Sequence, residues 1–395
     1  LKNKIEKMAE AALKTVKPNG HNPLFGDSDD TDMRDIMSRC ALVFGRSDFK
    51  YYGFDRLDFN TVWQTGYKSI EKYNNIGKIP PSFNNAFLAD SGNYILRENQ
   101  TNTSNYLFFH NGYTGAGHAH ADKLHFDLMI KGRDVLVDAG RYTYLNNAQR
   151  RYIKSPKAHN VCLIDNKQYL NVSSQWETKN PAPAVQYPCF DNEYCTLIGG
   201  AHLGYLKSRN AFVERKIFYI KPDIYVIVDV FKAKGFHTYQ QYFHFAPTGK
   251  ITISANNAQF DDGIVKANMH FVTPNAKIKK ENSIYSSNYN AICKNDCIKS
   301  SFFALGNTSA ITVIYGNTAK NFVPYDVSFE QIKTARSEKM LNASKAAGVV
   351  IKTPKKEYTI CLAFKELKEP FGCNNKIGSG TISVFENDKL IFTKW

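Results

Sequence analysis

The period of the hydrophobic pattern changes once, at Ile79-Pro80-Pro81-Ser82, and no other feature constrains the fold as much. Before it, apolar residues recur at helical spacing over 4–16, over 31–45 with Met33, Ile36, Met37, Cys40, Ala41, Val43 and Phe44 on one stripe, and over 60–73. Asp30-Thr31-Asp32 is expected to cap the second helix, with acids in its first turn. After the prolines, short runs rich in β-branched and aromatic residues take over: 94–97, 106–109, a hairpin over 124–138, then 159–164, 213–220, 224–232, 238–245, 311–315, 347–352, 357–364 and 381–394. Lys131-Gly132-Arg133 and Lys221-Pro222-Asp223 read as hairpin turns. No helical period of comparable length returns. The expected class is α+β, with helices in 1–80 and a large antiparallel β-sandwich in 81–395. Helices with such wide apolar stripes must dock on the sheets or on further helices. The sequence has no internal repeat; 165–210, with Asn180-Pro181-Ala182-Pro183, reads as an irregular excursion, and 283–300 and 317–346 as loops or insertions.

A chain of 395 residues, 43% hydrophobic and 22% charged, is ordinary globular protein long enough for two cores. No run approaches the roughly 18 consecutive apolar residues of a membrane span. Lys and Arg number 51 against 36 Asp and Glu, a formal charge of +15 that attracts polyanions. The lysines are dispersed and no Cys/His finger spacing or aromatic RNA-binding strand motif is present, so acidic polysaccharide is the expected partner and nucleic acid is not. The chain begins at Leu1 with no signal-peptide pattern and runs directly into a helical period, as if entered partway through. Of eight cysteines, Cys293 and Cys297 form a lone C-x3-C, read as unremarkable or locally paired thiols, and Cys162 as a small core residue. Asn102, Asn171, Asn307 and Asn342 begin glycosylation sequons that matter only in a glycosylating secretory cell.

Chemistry concentrates in Gly117-His118-Ala119-His120-Ala121-Asp122, just before the alternating run 124–130. In extended chain, residues two apart share a face, so the imidazoles of His118 and His120 are expected to reach one site. Asp138 closes the next strand and Ala158-His159-Asn160 opens the one after. His120, Asp138 and His159 are therefore a candidate zinc-ligand set from consecutive strand ends, although strand-end His and Asp also cap turns. Asp27-Ser28-Asp29-Asp30-Thr31-Asp32 has the look of a calcium loop but lacks the glycine at position six and the glutamate at position twelve. It reads instead as a loop leading into a helix and facing a cleft or solvent. His125 reads as structural, and His244, alternating with aromatics, as either cleft-lining or a satisfied sheet residue.

These elements, with Asp90-Ser91-Gly92-Asn93-Tyr94, Asp138-Ala139-Gly140-Arg141-Tyr142-Thr143-Tyr144 and, more weakly, His21-Asn22-Pro23-Leu24-Phe25-Gly26-Asp27, resemble the heparinase II/III-like family of polysaccharide lyases over roughly residues 20–250. The resemblance implies that 1–80 are the C-terminal helices of an α/α toroid. It implies one structural zinc on His120, Asp138 and His159, with His118 facing the sugar as base or carboxylate contact. The implied reaction is β-elimination on a uronic-acid-containing polymer, heparin-like, alginate-like or capsular. The implied compartment is bacterial periplasm, cell envelope or exterior.

Such a lyase needs an acid for the departing oxygen, and a tyrosine hydroxyl can give and take a proton where neighbouring cations favour its ionised form. Tyr144 and Tyr152 are the candidates. Arg150 and Arg151, close in sequence, and His244 are candidate substrate contacts. The family's toroid also supplies an Asn or His for the carboxylate and, in several branches, the catalytic tyrosine; only the last toroid helices fit in 1–80, so this chain is expected to carry part of the active site. Two other readings are a non-catalytic glycan-binding protein of the same fold and a zinc-dependent glycan hydrolase.

Overall fold

The computed structural model describes every residue except Thr114, Ala116, Ser173, Gln175, Asn180, Pro181 and Trp395. The chain is mostly sheet with few helices. Helices precede the prolines and strands follow them, but the helical boundaries differ from those expected. The first helix is Lys2–Thr15. The second begins only at Arg34 (Arg34–Phe44), because Thr31 is engaged with Asn22 and Asp32 instead accepts from the Arg34 backbone N–H. The helix expected over 60–73 is two, Phe59–Thr65 and Ser69–Asn74, broken at Gly66, whose φ of 84° no helix continues through. A short helix Ser47–Tyr51 gave no sequence signal. Ala9, Leu13, Met37, Ala41, Leu42, Phe49 and Tyr73 form a small core of their own. This unit docks on the first sheet: the Tyr106 hydroxyl donates to the Thr15 carbonyl at 2.7 Å, and buried Arg97 donates to the Val16 carbonyl.

The strands make three layers. One outer layer holds a five-stranded sheet (Ala86–Leu88, Asn93–Arg97, Tyr106–His110, His125–Ile130, Arg133–Leu136) and a four-stranded one in the order Lys277–Tyr285, Cys293–Leu305, Phe236–His244, Cys162–Ile164, joined by the bridge Leu136–Phe245. The middle layer is a nine-stranded antiparallel sheet centred on Phe212–Ile220, Ile224–Lys232 and Thr308–Thr318. The other outer layer is the C-terminal sheet containing Ala346–Lys352, Glu357–Ala363 and Ile382–Glu386. Period-two alternation explains why the middle strands read as unbroken apolar runs. Ile217, Tyr219, Tyr225 and Ile227 enter one core, while Phe218, Ile220, Val226 and Val228 enter the other against Val349, Ile360 and Val384. Both faces are buried.

Three segments read as irregular contain strands. Within 165–210 lies Cys195–His202, buried throughout, although Asn180 and Pro181 of that stretch fall outside the described residues. Residues 283–300 are largely strand (Lys277–Tyr285 and Cys293–Leu305), and 317–346 contains Asp326–Glu330. Cys293 and Cys297 lie on one strand four residues apart, about 13 Å at ordinary strand rise, so they cannot pair with each other. All eight cysteines are free thiols, and Cys162 is buried in the core. No helix among the described residues is long and apolar enough to cross a membrane.

Candidate functional site

The 118–120 segment is a loop ahead of His125–Ile130, not the extended strand expected from the spacing. The two histidines are nevertheless brought to one group. His118 Nδ1 lies 2.9 Å from Asp27 Oδ2, and His120 Nε2 lies 2.8 Å from Asp27 Oδ1. Arg150 completes the cluster, donating to both carboxylate oxygens at 2.5 and 2.8 Å. The Asp27 carboxylate is buried; burial works against its charge, but the hydrogen bonds from His120 and Arg150 outweigh this and hold it well below the usual carboxylate range. The loop fits because residue 26 is glycine: its φ is +54°, and a Cβ there would stand 2.8 Å from the His118 carbonyl oxygen that accepts from the Asp27 N–H.

The histidines then part. His120 is fully buried, whereas the His118 side chain is 65% exposed. Beside His118 stands Tyr144, its hydroxyl 3.5 Å from Nδ1 and its ring centroid 5.1 and 5.4 Å from the Arg141 and Arg150 guanidiniums. Arg141 is itself tied to Asp29 by two hydrogen bonds.

Behind the loop, His120, Asp138 and His159 converge, with one ligand atom from each within 4.8 Å of the others and all three buried. Asp138 Oδ2 lies 2.6 Å from His159 Nδ1 and 3.5 Å from His125 Nε2, and Oδ1 accepts from the Gly140 N–H. Burial opposes the Asp138 charge, yet His159 and His125 keep its pKa well below the usual range. His120 Nδ1 and His159 Nε2 are buried with no hydrogen-bond partner among the described residues. Two orphaned imidazole nitrogens and a carboxylate are the donor types zinc takes, so these residues fit such an ion. His125 is buried, with Nε2 2.8 Å from Asp127 and Nδ1 accepting from the Asn160 N–H.

Other candidates are placed elsewhere. Tyr152 lies on the helix Ala148–Ile153 with its hydroxyl 2.8 Å from Ser283 Oγ, and burial pushes its pKa up to about 12; it does not reach His118. His244 is buried, with Nδ1 3.0 Å from the same Ser283 and Nε2 3.6 Å from Cys297 Sγ, and burial pushes it down to about 3. It does not line a cleft. Arg150 is spent on Asp27 and buried, so it is not a surface contact for a polymer. Arg151 is exposed and donates to Asn146. Sequence reasoning placed Asp27 in the weak His21–Asp27 match and in a loop facing a cleft or solvent but missed its contact with both histidines, and missed Trp176 and Tyr289, whose rings lie 4.8 and 5.7 Å from that of Tyr144.

Residues 80–314 match the model of the heparinase II/III-like C-terminal domain. The chain belongs to this family. A heparin-sulfate lyase of Pedobacter heparinus is 25% identical over 201 residues, 48% of this chain and 28% of that protein. One of Bacteroides stercoris is 21% identical over 297 residues, 72% of this chain and 40% of that protein. The crystal structure of a heparan sulfate lyase from Pedobacter heparinus superposes with a TM-score of 0.73 at 16% identity, covering 92% of this chain and 53% of the other. The chain thus spans about half the length of the solved relative, and the shared architecture is that of the heparinase II/III-like fold.

Proposed function

We propose that the protein is a polysaccharide lyase that cleaves a uronic-acid-containing glycosaminoglycan by β-elimination. Family membership and the heparin-sulfate lyases among its relatives support the class of reaction and polymer. The observation that carries it is the exposed His118 beside Tyr144, tethered from behind by buried Asp27. With the Nδ1 proton held by the Asp27 carboxylate, Nε2 is left for the substrate. In the elimination a base removes the C-5 proton, the freed pair forms the C4–C5 double bond, the C4–O bond breaks, and an acid protonates the departing oxygen. We assign His118 as base or carboxylate contact and Tyr144 as acid. The helices of 1–80 are read as the end of an α/α toroid, and an alginate-like or capsular polymer met in the cell envelope or outside the cell is the alternative substrate.

A zinc ion is assigned to His120, Asp138 and His159, where it would cross-link the loop, the strand end and the turn that carry them. Complete burial of all three opposes the hydrolase reading, since an ion held there has no open side toward a polymer.

Ultraviolet absorbance of unsaturated uronate tests the proposal, with heparan sulfate, alginate, hyaluronan and chondroitin offered separately. A rise with one polymer, reduced by roughly a hundredfold or more in His118→Ala, is expected. No rise with any of them in the folded, zinc-loaded full-length protein overturns the glycosaminoglycan reading in favour of a capsular substrate or a glycan-binding role, and a saturated product end argues for hydrolysis.

A further inference from the structure

Two loops expected to be irregular converge on Tyr144. The first is the hairpin Asn171–Val172/Thr178–Lys179. Its root is fixed in the core by buried Tyr169 and Leu170. The Tyr169 hydroxyl donates to the Ala121 carbonyl at 2.5 Å and accepts from the Lys123 N–H at 2.9 Å, binding the hairpin to the loop that carries His120. At its turn, the Trp176 N–H donates to Ser174 Oγ, and the indole lies 4.8 Å from the Tyr144 ring at a 31° tilt. The His118 ring stands edge-on to it at 5.6 Å.

The second loop joins Lys277–Tyr285 to Cys293–Leu305. It is clamped to the 139–142 turn by Ser286 N–H on the Ala139 carbonyl (2.9 Å) and Asn290 N–H on the Tyr142 carbonyl (2.6 Å). It sets the Tyr289 ring 5.7 Å from Tyr144 on a 42° tilt, under the Arg141 guanidinium.

Trp176 and Tyr289 are each 46% exposed. Large aromatic side chains held by separate anchored loops, and left in water beside an exposed histidine, mark a binding surface. The Arg141 charge is neutralised by Asp29, so the wall offers ring faces more than free positive charge. Its chemistry suits the C–H face of a pyranose.

We propose that Trp176 and Tyr289 flank Tyr144 as a sugar-stacking wall that seats a pyranose ring of the polymer against His118. This rests on the reading of His118 as the substrate-facing residue. Trp176 is here a positioning residue: it fixes where the ring sits and takes no part in proton transfer.

The chain has three tryptophans, at 63, 176 and 395, so Trp63→Phe/Trp395→Phe leaves Trp176 as the only indole reporter. Titration with a heparan sulfate hexasaccharide is expected to quench and blue-shift its fluorescence to saturation, whereas polyvinyl sulfate, a polyanion without sugar rings, is not. Trp176→Ala should weaken hexasaccharide binding by about tenfold, raising KM with kcat little changed, and Trp176→Phe should restore most of the loss. Unchanged fluorescence while calorimetry reports binding, no binding at all, or equal affinity in Trp176→Ala overturns the wall. Saturable quenching in a protein that releases no unsaturated uronate keeps the wall and sinks the lyase reading.

Discussion

Arg215→Met should be among the most destabilising single changes in the protein. Arg215 and Asp229 are completely buried partners on adjacent strands, joined by two hydrogen bonds at 2.6 and 2.9 Å. The same guanidinium donates to the carbonyls of Leu124 (2.7 Å) and Asn160 (2.5 Å) and lies over Phe126. Methionine keeps the apolar stem and removes every donor. Asp229 is then left with Gln241 as its remaining side-chain donor among the described residues besides Cys162 nearby. An uncompensated buried charge costs about 3–5 kcal/mol, and each orphaned carbonyl about 1–3 kcal/mol more. Part of this relaxes away, so a loss of about 4 kcal/mol or more is expected. Urea unfolding followed by circular dichroism measures it. In a cycle with Asp229→Leu, the double variant should be more stable than the sum of the singles by at least about 2 kcal/mol, because removing both partners leaves no bare charge. A loss below about 1 kcal/mol for Arg215→Met, or an additive cycle, would refute the reasoning.

Acid should destabilise the fold through its buried neutral histidines. Burial, with Lys123 and Arg215 nearby, pushes His202 down to about 3, so between pH 6.5 and 3 the unfolded chain binds the proton that the folded one refuses. Stability is therefore full above pH 6.5 and falls as pH drops through that window; the urea midpoint of His202→Gln should fall less steeply from pH 7 to 4, and identical slopes would count against this. His120→Ala is expected to lower bound zinc, measured by atomic spectrometry, together with thermal stability, and undiminished zinc would remove His120 from the ligand set.

The layout of the fold was legible where local pattern and packing agree. Ile224–Lys232 and Phe212–Ile220 were visible because β-branched and aromatic runs sit on either side of a Pro-Asp turn and both faces are buried. Lys277–Tyr285 was not. It is an edge strand with four exposed positions, so its lysines and polar residues carry no apolar signal. Its pairing with Cys293–Leu305 is a tertiary choice. The break at Gly66 was readable in principle, but the apolar residues on either side keep helical spacing across it.

The site divides in the same way. Asp138 and His159 were placed by their positions at element ends, and the structure brings them with His120 into one cluster. The carboxylate that orders the two histidines lies 93 residues from His120, in a loop of the helical segment, where neither spacing nor composition can register a contact. That contact explains something the H-x-H spacing could not. Alternation in a strand would have given His118 and His120 the same surroundings. Instead Asp27 takes one oxygen to each ring, with its backbone N–H on the His118 carbonyl, so a single buried carboxylate faces one imidazole inward to the metal-fitting cluster and leaves the other at the surface. The chemistry proposed at His118 and the metal proposed at His120 can therefore fall on neighbouring histidines, because a loop of the helical segment gives the two rings different surroundings.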